Sequence, residues 1–271
     1  MEDRLSGLLA QFSLKASTFY SGSLCGNHHF PKEGVGHLHL CKGGELQVSH
    51  AGILEVLASP SVVFYPRDID HTISIDPNSS VDVICATVKF SSVDSNSIAF
   101  SLPDVVLHTG EGSQALTSTI NLLFYEALQP GCGQSAIVDR LCEILIIQLI
   151  RLQIEEGSIT DGALAGLAHP KLCLALMAMH DDPAKSWNLD VLSNIALMSR
   201  TQFAKSFHMV VGKTPLAYLN QWRMSLATQS LINGKSIGRV ALDLGFNSQS
   251  SFSRSFTHHF GKSPRAWLSE Q

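Results

Sequence analysis

Residues 199–219 read SRTQFAKSFHMVVGKTPLAYL, and residues 248–268 read SQSSFSRSFTHHFGKSPRAWL. At an offset of 49, nine of the 21 positions are identical: Ser199/Ser248, Phe203/Phe252, Ser206/Ser255, Phe207/Phe256, Gly212/Gly261, Lys213/Lys262, Pro215/Pro264, Ala217/Ala266 and Leu219/Leu268. Lys205/Arg254, Thr214/Ser263 and Tyr218/Trp267 are conservative exchanges. Self-similarity at this level marks a duplicated structural unit.

Each copy has the mechanics of two short helices around a tight turn. Asp190 to Ala196 and Ile237 to Leu244 read as first helices. The turns follow at Leu197-Met198-Ser199 and Gly245-Phe246-Asn247-Ser248, where Ser199 and Ser248 are candidate N-caps. The second helices carry Phe203/Phe207 and Phe252/Phe256 at i, i+4, which places each pair on one buried face. The opposite face offers Arg200, Thr201, Gln202 and Lys205 in one copy, and Gln249, Ser250, Ser251 and Arg254 in the other. Such hydrogen-bonding and cationic groups suit base edges and phosphates. Gly212 and Gly261 are candidate left-handed caps, and Pro215 and Pro264 restart the helix at an early position. A helix from Pro215 to Asn233 would span roughly 28 Å, close to the ~34 Å between successive major grooves on one face of DNA.

Charge follows the same division. Residues 169–271 hold eleven basic and five acidic residues, a net +6. The preceding 168 residues hold eight basic and eighteen acidic ones, a net −10. The chain of 271 residues therefore has a net charge of −4 that describes neither half. With 45% apolar and 15% charged residues, a disordered or low-complexity chain is excluded.

Residues 17–90 read as β structure. Glu45–Ser49, Ser61–Tyr65, His71–Ile75 and Val81–Phe90 are short runs, broken at Lys42-Gly43-Gly44, Ala51-Gly52, Pro66-Arg67-Asp68 and Asp76 to Ser79. This spacing predicts a sandwich or barrel. His28-His29, beside Pro31, reads as a loop. From Ala115 to Gln129 and from Ser135 to Glu156 the period becomes helical. The second helix is apolar nearly all round, so burial on two sides is expected, against the β domain and against another helix or a second copy of the chain. Gly157 to Gly166 (GSITDGALAG) reads as a linker.

The C-terminal residues resemble the DNA-binding domain of AraC-family transcription regulators. The resemblance rests on Trp187-Asn-Leu-Asp-Val-Leu-Ser-Asn-Ile-Ala, Met198-Ser-Arg, Phe203-x-x-x-Phe207, Gly212-Lys-Thr-Pro-x-x-Tyr218 and the run from Ile237 to Pro264. It implies that Thr201, Ala204 and Lys205 in the first copy, and Gln249, Ser250, Ser251 and Arg254 in the second, face bases or nearby phosphates. Ala204 has no polar reach, so the first helix is expected to read fewer bases. The β segment resembles the cupin-type sensor of one branch of that family, through Asp3 to Leu14, Gly43 to Val48, Tyr65 to His71 and Asp139 to Gln148.

The expected fold is α+β: a cupin-like barrel with trailing helices over 1–160, then an all-α domain over 169–271 with helix-turn-helix motifs at about 190–211 and 237–260. By this resemblance the chain is expected to be a DNA-binding transcription regulator, with activator preferred over repressor as the sign, and its cysteine usage is that expected of a cytoplasmic protein. Its expected partners are promoter DNA, RNA polymerase, a small-molecule effector and a second copy of itself.

A second reading is a metal-dependent cupin enzyme with a helical accessory domain. His37-x-His39, Glu45 and Pro66-x-x-x-x-His71 superficially match the metal-binding cupin pattern. The register differs, because His37 and His39 fall on the strand just before Gly43-Gly44. The expectation is therefore no metal and no cofactor, with these side chains lining or flanking a ligand cavity. No G-x-S-x-G motif supports hydrolysis. The six cysteines form no C-x-x-C pair and read as reduced thiols. The N-terminus lacks an apolar segment of the kind a signal peptide carries.

Overall fold

The computed structural model describes residues 3–11, 13–91, 96–110 and 113–270. By contact these fall into two units, one of residues 13–91, 98–110 and 113–159, the other of residues 3–11, 96–97 and 160–270.

The first unit is an antiparallel β structure. A five-stranded sheet has the order β1 (Ser13–Leu24), β8 (Val81–Ser91), β3 (Gly36–Lys42), β6 (Ser61–Tyr65), β9 (Val106–Thr109). A four-stranded sheet has the order β2 (Gly26–Phe30), β7 (His71–Ile75), β4 (Glu45–His50), β5 (Ile53–Ala58). Inward side chains of both sheets meet in one core, with Cys41, Val63, Tyr65, Val83 and Cys85 from the first and Leu46, Val48, Leu57, Ile73 and Ile75 from the second. Alternation places Leu38, Leu40, Val62, Phe64, Ile84 and Ala86 on the other face of the larger sheet, where they are equally buried. His28 and His29, expected in a loop, belong to β2, with His28 opposite Ile73. Alternating burial along β2 is the strand signal that the neighbouring Pro31 obscured.

Three helices follow within or beside this unit: α2 (Asn96–Ser101), α3 (Gln114–Leu128) and α4 (Gln134–Glu155). Helix α4 lies along the edge strand β1. Thr18 N–H donates to Asp139 at 2.7 Å and Ala16 N–H to Glu143 at 3.4 Å, which supplies acceptors to an edge that would otherwise be open. The buried stripe of α4 is Val138, Leu141, Cys142, Leu145, Ile146, Leu149 and Ile150, while Ile137 and Ile144 are exposed. Apolar residues all round the helix thus leave Ile137 and Ile144 outside the stripe that packs on the β unit.

The second unit is helical. It contains α1 (Ser6–Gln11), α5 (Gly162–Ala168), α6 (Leu172–Asp181), α7 (Leu189–Ile195), α8 (Arg200–Val211), α9 (Pro215–Ile232), α10 (Ile237–Asp243), α11 (Gln249–Phe260) and α12 (Pro264–Leu268). Helix α1 packs on α6. The expected linker is corrected, since α5 occupies residues 162–168 and Ala163, Leu164, Ala165 and Leu167 are buried. Its small residues serve close packing, not flexibility: a Cβ on Gly166 would come within 2.5 Å of Leu176 Cδ1 and 2.9 Å of Val211 Cγ2. His180 ties α6 to α9, bonding the Tyr218 hydroxyl at 2.7 Å and stacking on Trp222 at 4.0 Å.

All six cysteines are free. Among the described residues no single helix is long and apolar enough to cross a membrane.

Candidate nucleic-acid interface

The two copies fold alike. Ser199 accepts from Gln202 N–H and Ser248 from Ser251 N–H, so both second helices are capped as the sequence predicts. Both end at a left-handed glycine, Gly212 (φ 78°) and Gly261 (φ 71°). Thr214 and Ser263 cap the following helices, each with proline in the first turn.

Their cores are equivalent side chain by side chain. The rings of Phe203 and Phe207 are 5.6 Å apart, as are those of Phe252 and Phe256. Tyr218 meets Phe207 edge-on at 5.9 Å, and Trp267 meets Phe256 edge-on at 5.9 Å. Helix α9 joins the copies. At 18 residues it spans about 27 Å. Ser255 on α11 donates to Asn220 on α9 at 2.9 Å, which helps set the angle of the second recognition helix.

Opposite the phenylalanines, each second helix exposes a polar ridge at i, i+4, i+7. On α8 it is Thr201, Lys205 and His208, flanked by Arg200 and Gln202. On α11 it is Ser250, Arg254 and Thr257, flanked by Gln249. Ala204 is half-buried and offers no polar atom. Extending the period by one turn would have found His208 and Thr257 from sequence. Ser251 is the departure. Its hydroxyl donates to the Ser248 carbonyl at 2.8 Å and accepts the Ser248 N–H at 3.3 Å, closing a capping box. Ser251 is half-buried and engaged in holding the helix start.

The cations differ in commitment. Arg200 pairs with Asp190 at 3.2 Å. Asp243 holds both Arg239 at 2.8 Å and Lys235 at 3.1 Å, and these partners keep its carboxyl below the usual carboxylate range. Lys262 pairs with Glu270 at 2.7 Å. Lys205 and Arg254, which are equivalent in the repeat, make no ion pair among the described residues.

In the β unit the structure brings His37, His39 and His71 together and leaves Glu45 exposed, apart from them. His71 Nδ1 lies 2.7 Å from the Ile69 carbonyl, so it carries the proton, and its Nε2 accepts from His39 Nε2 at 2.9 Å. Burial pushes His71 down to about 4 and His39 well below the usual histidine value. Among the described residues no group of three or more His, Cys, Asp or Glu side chains is disposed to hold a metal. His50, which bonds the Tyr65 hydroxyl at 3.2 Å, and Phe30, packed on the trio, complete a cluster that sequence reasoning did not assemble.

Comparison with known proteins agrees with this division. A family model described as Cupin matches residues 3–155, and one described as Helix-turn-helix domain matches residues 192–270. The HTH-type transcriptional regulator AlkR of Acinetobacter baylyi is 38% identical over 141 residues, which is 52% of this chain and 45% of AlkR. An AraC-like transcription regulator of Streptomyces antibioticus is 28% identical over 78% of this chain and 71% of its own length. RclR of Escherichia coli, an RCS-specific HTH-type transcriptional activator, is 28% identical over 79% of this chain and 76% of its own. The fold and the duplicated helix pair define a two-part regulator architecture, a β-rich cupin unit with a double helix-turn-helix. The chain belongs to the AraC-type transcriptional regulators that carry an N-terminal cupin domain.

Proposed function

We propose that the chain is a cytoplasmic, sequence-specific DNA-binding activator in which α8 and α11 enter the major groove. Arg200, Thr201, Gln202 and Lys205 contact DNA from α8, and Gln249, Ser250 and Arg254 from α11. Ala204 contributes van der Waals contact alone, and Ser251 acts by shaping the start of α11. The observation that carries this reading is the pair Lys205 and Arg254. They are equivalent in the repeat, exposed on the ridge and without an ion pair among the described residues, while Arg200, Lys235, Arg239 and Lys262 are committed. The interface spans residues 190–211 and 237–260 of a DNA-binding domain over 169–271. Binding of the full chain to a duplex from its own upstream region tests the reading. Affinity is expected to fall steeply as salt rises. Equal affinity for any duplex would refute sequence-specific recognition.

The cupin domain, residues 1–160, is the sensor in this reading, with a small-molecule effector as its ligand and RNA polymerase as the partner of the bound protein. RclR, whose name is that of an activator, supports the sign of regulation. A second copy of the chain is the partner for α3 and α4. Leu122, Tyr125 and Leu128 of α3 and Ile137 and Ile144 of α4 are exposed, and a groove of about 640 Å³ lies along α3 beside Lys42 and Asp82.

A further inference from the structure

The β unit holds a surface that regulation of transcription does not by itself explain. Strand β1 changes register with β8 between Thr18 and Tyr20, so Phe19 is the extra residue of a bulge. Bulges re-aim side chains, and here the result is an exposed aromatic ring. Phe19 is 50% exposed, yet its ring lies 6.2 Å from Phe30 and 6.2 Å from His37. Phe30 in turn packs 5.7 Å from His37 and stacks on His71 at 5.1 Å.

Two acidic groups flank this aromatic surface. Burial lowers the His37 pKa, and the nearby carboxylates of Glu33 and Asp68 act in part against it. Glu33 N–H donates to Asp68 at 2.9 Å, which ties the segment after β2 to the segment after β6. The neighbouring cation Arg67 does not neutralise Asp68. It is committed to Asp104 and to the carbonyls of Ala99 and Leu102. His29 is likewise engaged with Asp70.

Beneath the rings lie polar atoms without a hydrogen-bond partner among the described residues. His37 is 4% exposed and its Nδ1 is buried and unbonded. His39 is 1% exposed, and its Nδ1 is also unbonded. His39 Nε2 donates to His71, so in neutral His39 the Nδ1 is a bare acceptor. An unpaired buried acceptor of this kind costs free energy.

Carboxylates and the exposed π face of Phe19 share one electrostatic preference: a cation that carries N–H donors on an apolar body. We propose that the surface formed by Phe19 and Phe30 over His37, between Glu33 and Asp68, binds an organic ammonium with an aromatic or aliphatic body. The carboxylates would repel an anion, and a neutral analogue would leave their charge uncompensated. This deepens the sensor reading of the β unit and rests on it.

The test is calorimetric titration of the full chain with three probes of one shape: 2-phenylethylammonium, 2-phenylethanol and phenylacetate. The ammonium is expected to bind about tenfold tighter than either other probe, the size of a cation–π contact reinforced by charge. Phe19→Ala, which truncates a half-exposed ring, is expected to weaken the ammonium about fivefold or more. Glu33→Gln with Asp68→Asn is expected to do the same while leaving the Asp68 position able to accept the Glu33 N–H. Unchanged thermal melts would show that both variants fold. Phenylacetate or the alcohol binding as tightly as the ammonium would overturn the proposal. So would no binding at millimolar probe, or undiminished binding by both folded variants. The titration needs no DNA, so its failure leaves recognition by Lys205 and Arg254 standing, and failure of DNA binding is read separately.

Discussion

Gly245 sits against the backbone of Ala184, so that a Cβ at position 245 would lie 2.0 Å from the Ala184 carbonyl oxygen. The residue is left-handed (φ 74°), and its N–H closes the turn onto the Leu242 carbonyl. The matching turn of the first motif is closed from Leu197 to Asn194, also left-handed (φ 52°), by a leucine that is 73% exposed. One turn geometry is thus met by a glycine where backbone crowds it and by a strained leucine where space is open.

These two positions should respond oppositely. Gly245→Ala adds both left-handed strain and a backbone clash, and should cost more than about 2 kcal/mol. Leu197→Gly relieves strain at the expense of unfolded-state entropy, and should change stability by less than about 1 kcal/mol. Denaturant melts of the two variants check this. Equal losses would mean that the turns are not held as described.

Gly166→Ala tests whether α5 is packed or merely a tether. The added methyl would meet Leu176 and Val211, and a cost of about 1–3 kcal/mol is expected. A neutral effect in chemical denaturation would restore the linker reading.

Arg254→Ala should weaken specific DNA binding by about 1–3 kcal/mol and relax base choice at one position. Lys205→Ala should lower affinity across sequences and reduce the salt dependence by about one counterion. Anisotropy titrations at several salt concentrations separate the two effects. A double variant that binds all DNA as before would remove the assignment of both helices.

Acid should destabilise the β unit through its histidines. His71 is held near 4 by burial, below the ordinary histidine value of 6.5. The unfolded chain therefore binds more protons between those values, and stability falls as pH drops from 6.5 towards 4. Each such imidazole adds up to about 1.4 kcal/mol per pH unit to the slope. His71→Gln should flatten the pH dependence of unfolding. An unchanged slope would show that His71 is not the titrating group.

The exposed residues of α4 bear on assembly. Ile144→Glu, alone or with Ile137→Glu, should shift the chain to monomer in sedimentation at micromolar concentration and leave the fold intact. Wild-type protein that is already monomeric with and without DNA would remove the dimer from the proposed function.

Local chemistry determined much of this protein before any tertiary contact was known. Serine caps, terminal glycines, early prolines and the i, i+4 phenylalanine pairs are rules of one helix and its ends, and the repeat states them twice. Helices α8, α9 and α11 could therefore be placed from sequence almost residue by residue, as could the strands around the turn-forming glycines. Tertiary structure decided what period alone leaves open. The pattern around Gly166 is the same for a flexible tether and a close-packed helix, and only the proximity of Leu176 and Val211 distinguishes them. Ser251 has the same hydroxyl whether it faces DNA or closes a capping box. His37, His39 and His71 are far apart in the chain, and a strand period gives each a face but no neighbour. Strand pairing supplies the neighbours, because the order of strands in a sheet is settled by long-range burial. The free or committed state of a cation depends in the same way on which carboxylate the fold brings within reach. Lys205 and Arg254 were legible as candidates, but only the fold showed that they make no ion pair among the described residues.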